Sequence, residues 1–167
     1  MGTTCPTYKI VPWQGGAVSF PLRAVDKLEV EGLGHDPESV IEECLLMSTE
    51  AYVVTDSHGA PVAVFGINVI PGIMGVPWLL ASNRFVPECV SSTRLVKEAR
   101  AYLREWSLRY GEGVPLRNIV WEGNFKAIGF LKLAGCTFTP DSLWTPYEFI
   151  EGFAPRNYYL EFTYTNV

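Results

Sequence analysis

The chain has 167 residues, of which 48% are hydrophobic and only 19% charged, so intrinsic disorder is excluded and one domain with a single sizeable core is expected. A formal net charge of −5 disfavours nucleic-acid binding by bulk electrostatics. The four cysteines (Cys5, Cys44, Cys89 and Cys136) form no CxxC pair, and with His35 and His58 as the only histidines no zinc spacing arises; reduced, mostly buried thiols are expected. No stretch reads as a signal peptide, and the longest apolar run, Val62 to Ala81, is broken by Asn68, Pro71, Gly72, Gly75 and Pro77, so it is not a spanning helix.

Tyr8 to Trp13 alternates and reads as a first strand. Val18 to Glu31 has helical spacing through Val18, Leu22, Val25 and Leu28, with Pro21 tolerated in the first turn. Asp36 then reads as an N-cap with Pro37 at the first helical position, for a helix reaching about Ser48. Ala51–Asp56 and Pro61–Ile70 read as a hairpin around the turn Asp56-Ser57-His58-Gly59. Pro71 to Pro77 reads as a second turn region and Trp78 to Phe85 as the next strand. Ser91 or Ser92 caps the longest helix, which runs to Tyr110 with an apolar stripe through Leu95, Ala99, Tyr102, Leu103 and Trp106. Leu116–Trp121 reads as a buried strand, and Asn124 caps a short helix, Phe125 to Leu133, ended by Gly135. Strands over Cys136–Thr139, Tyr147–Ile150 and Tyr158–Tyr164 follow. The expected fold class is α/β. It has a mixed, mostly antiparallel sheet with one late parallel β-α-β unit, which requires a crossover helix.

This order of elements resembles the GNAT (Gcn5-related N-acetyltransferase) fold across nearly the whole chain. The residues that carry the resemblance are concentrated between Asn118 and Phe138, where Asn124, Ala127, Phe130 and Gly135 match the family's strand-to-helix segment. The same stretch is similar to the small GNAT-like internal virion proteins of short-tailed, autographivirus-type phages. The matching residues are Asn118, Val120, Trp121, Gly123, Asn124, Phe130, Leu131, Lys132 and Gly135, together with the earlier run Trp78-Leu79-Leu80-Ala81-Ser82.

Two departures bear on activity. The family resemblance implies a glycine-rich loop before the long helix, whose N–H groups hold the acyl-CoA pyrophosphate; the corresponding stretch here, Phe85 to Thr93, contains no glycine and carries Glu88. It also implies a tyrosine seven residues after the Asn as general acid, where this chain has Leu131. These departures lead to the expectation of a phage protein that has kept the scaffold with a degenerate acyl-CoA site. Its expected role is as a virion component acting through contacts with phage structural proteins or with itself, located in the virion or host cytoplasm, with no cofactor. The alternative is an acyl-CoA-dependent N-acetyltransferase with acetyl-CoA as cofactor. In that case Glu122, at the end of a strand, is the candidate base, Asn124 orients cofactor or substrate, and Ser91, Ser92 and Arg94 hold the pyrophosphate.

The remaining candidates have plainer readings. His58 beside Asp56 reads as an exposed turn histidine, and His35 likewise. Cys89 sits near a helix N-terminus but has no histidine partner in view. Arg94, Lys97, Arg100 and Arg104 make a basic helix face, the one surface for nucleic acid or an acidic partner, although Glu98 and Glu105 interleave with it as on a solvated face. Phe149, Phe153, Tyr158, Tyr159, Phe162 and Tyr164 crowd the C-terminal segment, which either completes the sheet or forms a protein contact.

Overall fold

The computed structural model describes residues 8–85, 92–110, 115–144 and 159–165. These form one seven-stranded sheet in the order β1-β2-β3-β4-β5-β7-β6. The elements along the chain are β1 (Lys9–Pro12), α1 (Ala24–Gly32), α2 (Val40–Met47), β2 (Glu50–Thr55), β3 (Pro61–Ile70), β4 (Met74–Ala81), α3 (Ser92–Tyr110), β5 (Leu116–Trp121), α4 (Phe125–Leu133), β6 (Thr137–Trp144) and β7 (Tyr159–Tyr164). All strand pairs are antiparallel except β4 with β5, the parallel pair that α3 connects. The mixed sheet with a late β-α-β unit is therefore observed.

Alternation along the strands sends side chains to two layers. Ala51, Val53, Val64 and Leu80 face α1 and α2, meeting Val30, Val40, Ile41 and Leu45. Ile67, Leu116, Val120 and Phe162 face α3 and α4, meeting Leu103, Trp106 and Ala134. The α3 helix is also tied to β2 through one carboxylate. Glu50 accepts hydrogen bonds from Tyr52 Oη (2.9 Å), Trp106 Nε1 (2.5 Å) and Tyr110 Oη (2.5 Å), and pairs with Arg109 at 2.6 Å. Burial opposes its charged form, but the bonds from Tyr110, Trp106 and Tyr52 and the charge of Arg109 hold its carboxyl below the ordinary value.

Three sequence expectations change. The first helix begins at Ala24, not Val18. Val18, Phe20 and Leu22 instead pack on the core from irregular backbone, and Arg23 is held extended (φ −55°, ψ 149°) because its N–H donates to Ala81 O at 2.9 Å. The helix is also rotated from its expected stripe: Leu28 is 54% exposed while Asp26 is 3% exposed. Second, β4 starts at Met74 and ends at Ala81, so Gly75 and Pro77, read as turn residues, lie inside a strand. Ser82 N–H donates to Val62 O, which turns the N–H positions of residues 75, 77, 79 and 81 away from β3. Pro77 therefore costs no ladder bond. Third, β6 runs to Trp144, well past Thr139. The expected strand Tyr147–Ile150 lies outside the described residues, as do Phe149, Phe153 and Tyr158 of the aromatic tail. The described part of that tail is β7, an interior strand between β5 and β6, with Tyr159 and Phe162 buried, so it completes the core.

Two tests follow from these contacts. Deleting residues 153–167 removes β7 and is expected to abolish the folded circular-dichroism spectrum; a folded truncation contradicts the strand order. Glu50→Ala leaves Trp106 Nε1 and two tyrosine hydroxyls without their acceptor and is expected to cost about 1–3 kcal/mol in denaturant unfolding at neutral pH. Because the folded-state pKa of Glu50 is depressed, its contribution is present above the unfolded value and is lost on acidification. The gap between wild type and variant should therefore narrow below about pH 4.

Candidate functional site

The site begins where β4 and β5 part. They share one register pair, Gly75 with Leu116, where Gly75 N–H donates to Pro115 O at 3.0 Å. A Cβ on Gly75 would lie 2.7 Å from Leu116 Cδ2, so glycine is what lets the strands meet. Beyond this point they diverge into a wedge. Asn118 Nδ2 bridges the lower part of the gap by donating to Pro77 O at 2.7 Å.

Helix α1 lies across the wider end. Asp26 Oδ2 accepts from Ala81 N–H at 2.8 Å, closing the open edge of β4 together with the Arg23 N–H bond to Ala81 O. Arg23 grips the same carboxylate through two nitrogens at 2.9 and 3.1 Å. One helical turn on, Glu29 Oε1 accepts from Trp121 N–H at 3.1 Å and from Asn124 Nδ2 at 2.9 Å, at the end of β5. Tyr159 Oη donates to Glu29 O at 3.0 Å, directly over Gly32, where a Cβ would collide with the hydroxyl. Asp26 and Glu29, at i and i+3 on one helix face, therefore fasten α1 to both strand ends.

A cavity of about 450 Å3 lies at this gap, with lining residues on both faces of the sheet. Leu79 and Asn118 line it between the strands, Glu29 and Val30 on the α1 side, and Tyr102 and Leu103 on the α3 side. Burial pushes the Glu29 carboxyl above its ordinary value, against the bonds from Asn124 and Trp121, which favour the charged form.

Of the residues singled out from sequence, Asn124 is in the site. It is 6% exposed, and its Oδ1 caps α4 by accepting from Ala127 N–H at 3.2 Å. Glu122, the candidate base, sits in the turn after β5 and is not among the cavity walls. The carboxylate that does line the cavity beside Asn124 is Glu29, which comes from a different element. Leu131 lines the cavity, so the position expected to carry a proton donor carries none. Arg94 stands at the start of α3 with its guanidinium 4.2 Å from the Tyr8 ring centre and 3.4 Å from Glu98. Ser92 is the first residue of α3; Ser91, Glu88 and Cys89 lie outside the described residues.

Arg94, Lys97, Arg100 and Arg104 are all exposed. Asp56 accepts from the N–H groups of His58 and Ala60 and pairs with Arg84, so it builds the hairpin turn and does not orient the His58 ring. Burial pushes the thiols of Cys44 and Cys136 up to about 11, away from nucleophilic use. Among the described residues no group of three or more His, Cys, Asp or Glu side chains is placed to hold a metal, and no helix is long and apolar enough to cross a membrane.

No family model and no curated protein sequence matches this chain. Solved structures do. A GNAT family acetyltransferase from Elizabethkingia anophelis with acetyl-CoA bound superposes with a TM-score of 0.63 at 12% identity, over 96% of this chain and 99% of that one. A Bacillus subtilis acetyltransferase in complex with CoA gives 0.61 at 10% identity, over 96% and 100%. A chimera of the spermidine N-acetyltransferases of Vibrio cholerae and human gives 0.53 at 12% identity, over 95% of each chain. At these identities the likeness establishes the GNAT acetyltransferase fold for this chain.

The α1 clasp can be tested directly. Asp26→Ala strands both Ala81 N–H and the Arg23 guanidinium and is expected to cost about 1–3 kcal/mol by denaturant unfolding. Asp26→Asn keeps an acceptor for Ala81 N–H and should lose less. Unchanged stability in Asp26→Ala would show that the clasp does not close the edge of β4.

Proposed function

We propose that the chain is an acyl-CoA-dependent N-acyltransferase whose donor and acceptor meet in the β4/β5 wedge. The observation that carries this reading is the cavity at the strand ends, with Glu29 and Asn124 in its wall. Group transfer needs two reactants held in contact, and a cavity with walls on both faces of the sheet gives each its own side. The fold neighbours that hold acetyl-CoA and CoA support the same donor class. The sequence departures alone favoured a non-catalytic scaffold with no cofactor; the preserved wedge outweighs them, because it supplies the space the transfer needs without the missing tyrosine.

The β4 edge selects how a donor sits. Gly75 N–H is bound by Pro115 O, Pro77 has no N–H, and Ala81 is held by α1. Leu79 lies between them at the same edge parity, 39% exposed. Its N–H and C=O are the groups positioned to pair with an amide of an extended pantetheine arm, as an added strand would. Ser91, Ser92 and Arg94 remain the proposed pyrophosphate contacts at the start of α3. With Leu131 in the general-acid position, the departing thiolate takes its proton from the attacking nitrogen or from solvent.

A second reading, a virion component working through protein contacts with phage structural proteins or with its own copies, is favoured by one observation. Helix α4 leaves Phe125 80% and Leu133 64% exposed at the two ends of its nine residues, within the Asn118–Gly135 run that suggested the phage resemblance.

Calorimetry with acetyl-CoA separates the two. We expect a dissociation constant near 10 µM, about −7 kcal/mol; no binding at millimolar concentration overturns the transferase reading. Leu79→Pro removes the open-edge N–H without touching the β3 ladder, as Pro77 already does two residues earlier. It is expected to weaken acetyl-CoA binding about tenfold at unchanged melting temperature. Unchanged binding would place the donor elsewhere.

A further inference from the structure

We infer that Glu29 is the group that recognises and deprotonates the acceptor, and that the acceptor is a primary monoamine carried on an apolar body. This rests on the transferase reading. Glu29 Oε1 is fixed by Trp121 N–H and Asn124 Nδ2, while Oε2 has no hydrogen-bond partner among the described residues, and the residue lines the cavity. An amine entering from the α1–α2 side meets a carboxylate whose orientation is already set.

The charges around it decide the acceptor class. Arg23 and Asp26, also on or beside α1, satisfy each other through two bonds. His35 Nδ1 lies 3.6 Å from Glu43, and Glu98 is engaged by Tyr8 and Arg94 on the far side of the sheet. From β7, Tyr159 donates to the Glu29 carbonyl, and from α2 the titratable wall group is the Cys44 thiol, neutral at ordinary pH. Among the described residues Glu29 is thus the one cavity carboxylate with no cation bonded to it, and Val30, Val40, Met47 and Trp78 line the same cavity. A single ammonium group answers the carboxylate and a hydrocarbon or aromatic body answers the wall. A polyamine would bury further charges, and among the described residues no second carboxylate without a bound cation lines the cavity to meet them.

The transfer balances on groups already named. Glu29 takes one proton from R–NH3+, leaving R–NH2 and a neutral carboxyl. The amine nitrogen attacks the thioester carbonyl, the C–N bond forms, and the C–S bond breaks with its electron pair leaving on sulfur. The nitrogen's second proton goes to the thiolate, and Glu29 returns its proton to water. Acyl-CoA and R–NH3+ give the amide, CoA–SH and one H+. Desolvation raises the proton affinity of Glu29, the direction that favours taking a proton from the amine.

The test uses the full chain, first without acetyl-CoA, by calorimetry or ligand-detected NMR with hexylamine, hexan-1-ol and spermidine. Hexylamine should bind at least tenfold tighter than either of the others. Equal binding of hexan-1-ol, or tighter binding of spermidine, overturns the inference, and this comparison needs only the wild type. Glu29→Gln retains an acceptor for Trp121 and Asn124. It should bring hexylamine down to the level of hexan-1-ol and, with acetyl-CoA present, lower kcat and flatten its rise with pH. Undiminished hexylamine binding in E29Q also overturns it. If the amine arms hold while acetyl-CoA fails to bind, the amine site stands and the transferase reading falls. If acetyl-CoA binds and the amine arms fail, the reverse holds.

Discussion

The single register pair between parallel β4 and β5 is the constraint on which the rest of the site depends. Two strands that meet at Gly75 and Leu116 and then separate leave main-chain groups on both inner edges without a ladder. Such groups, once buried, each cost about 1–3 kcal/mol if left unpaired. The chain answers several of them, each from a different source, and leaves those of Leu79 open. Asn118 supplies a side-chain donor to Pro77 O, proline removes one N–H altogether, Arg23 and Asp26 cover both groups of Ala81, and Glu29 covers Trp121 N–H. An open gap within a sheet is thereby made compatible with a folded core, and its width is fixed by the length of α1 between Asp26 and Glu29.

Much of this architecture is legible in the sequence because the signals are local. Pro61–Ile70 is a mostly buried strand, Leu116–Trp121 a strand with Leu116 and Val120 buried, Ser92–Tyr110 a long helix with Leu103 and Trp106 buried, and Asn124 and Gly135 bracket α4 as cap and stop. The misreadings fall where a distant partner overrides a local rule. Gly75 and Pro77 have turn chemistry, yet they lie in a strand because its outer edge needs close approach and one fewer donor. Pro21 permits a helix start, yet the helix waits until Ala24 because Arg23 is held by β4.

The site is less legible for the same reason. Glu122 drew attention because it follows a strand at the open end of the sheet, and it sits in the turn after β5, not among the residues lining the cavity. Glu29 is 95 positions from Asn124 and 92 from Trp121, and Asp26 is 55 from Ala81. The expected apolar stripe of α1 runs through Val25 and Leu28, and no local pattern marks either acid as facing inward.

The two carboxylates on α1 show how one helix face can serve structure and chemistry at once. Asp26 has its own arginine at i−3 and a backbone donor, so its charge is cancelled and its role ends with holding β4. Glu29 accepts two bonds from neutral donors on one oxygen and has no cation of its own, so burial raises its proton affinity and its second oxygen is left without a partner. Supplying Glu29 with an arginine as well would tighten α1 across the wedge and neutralise the one cavity carboxylate that, among the described residues, has no cation bonded to it. The same helix that closes the gap between the strands thus retains one strained charge inside it, and that asymmetry distinguishes a wedge that is merely stapled from one that can act on a ligand.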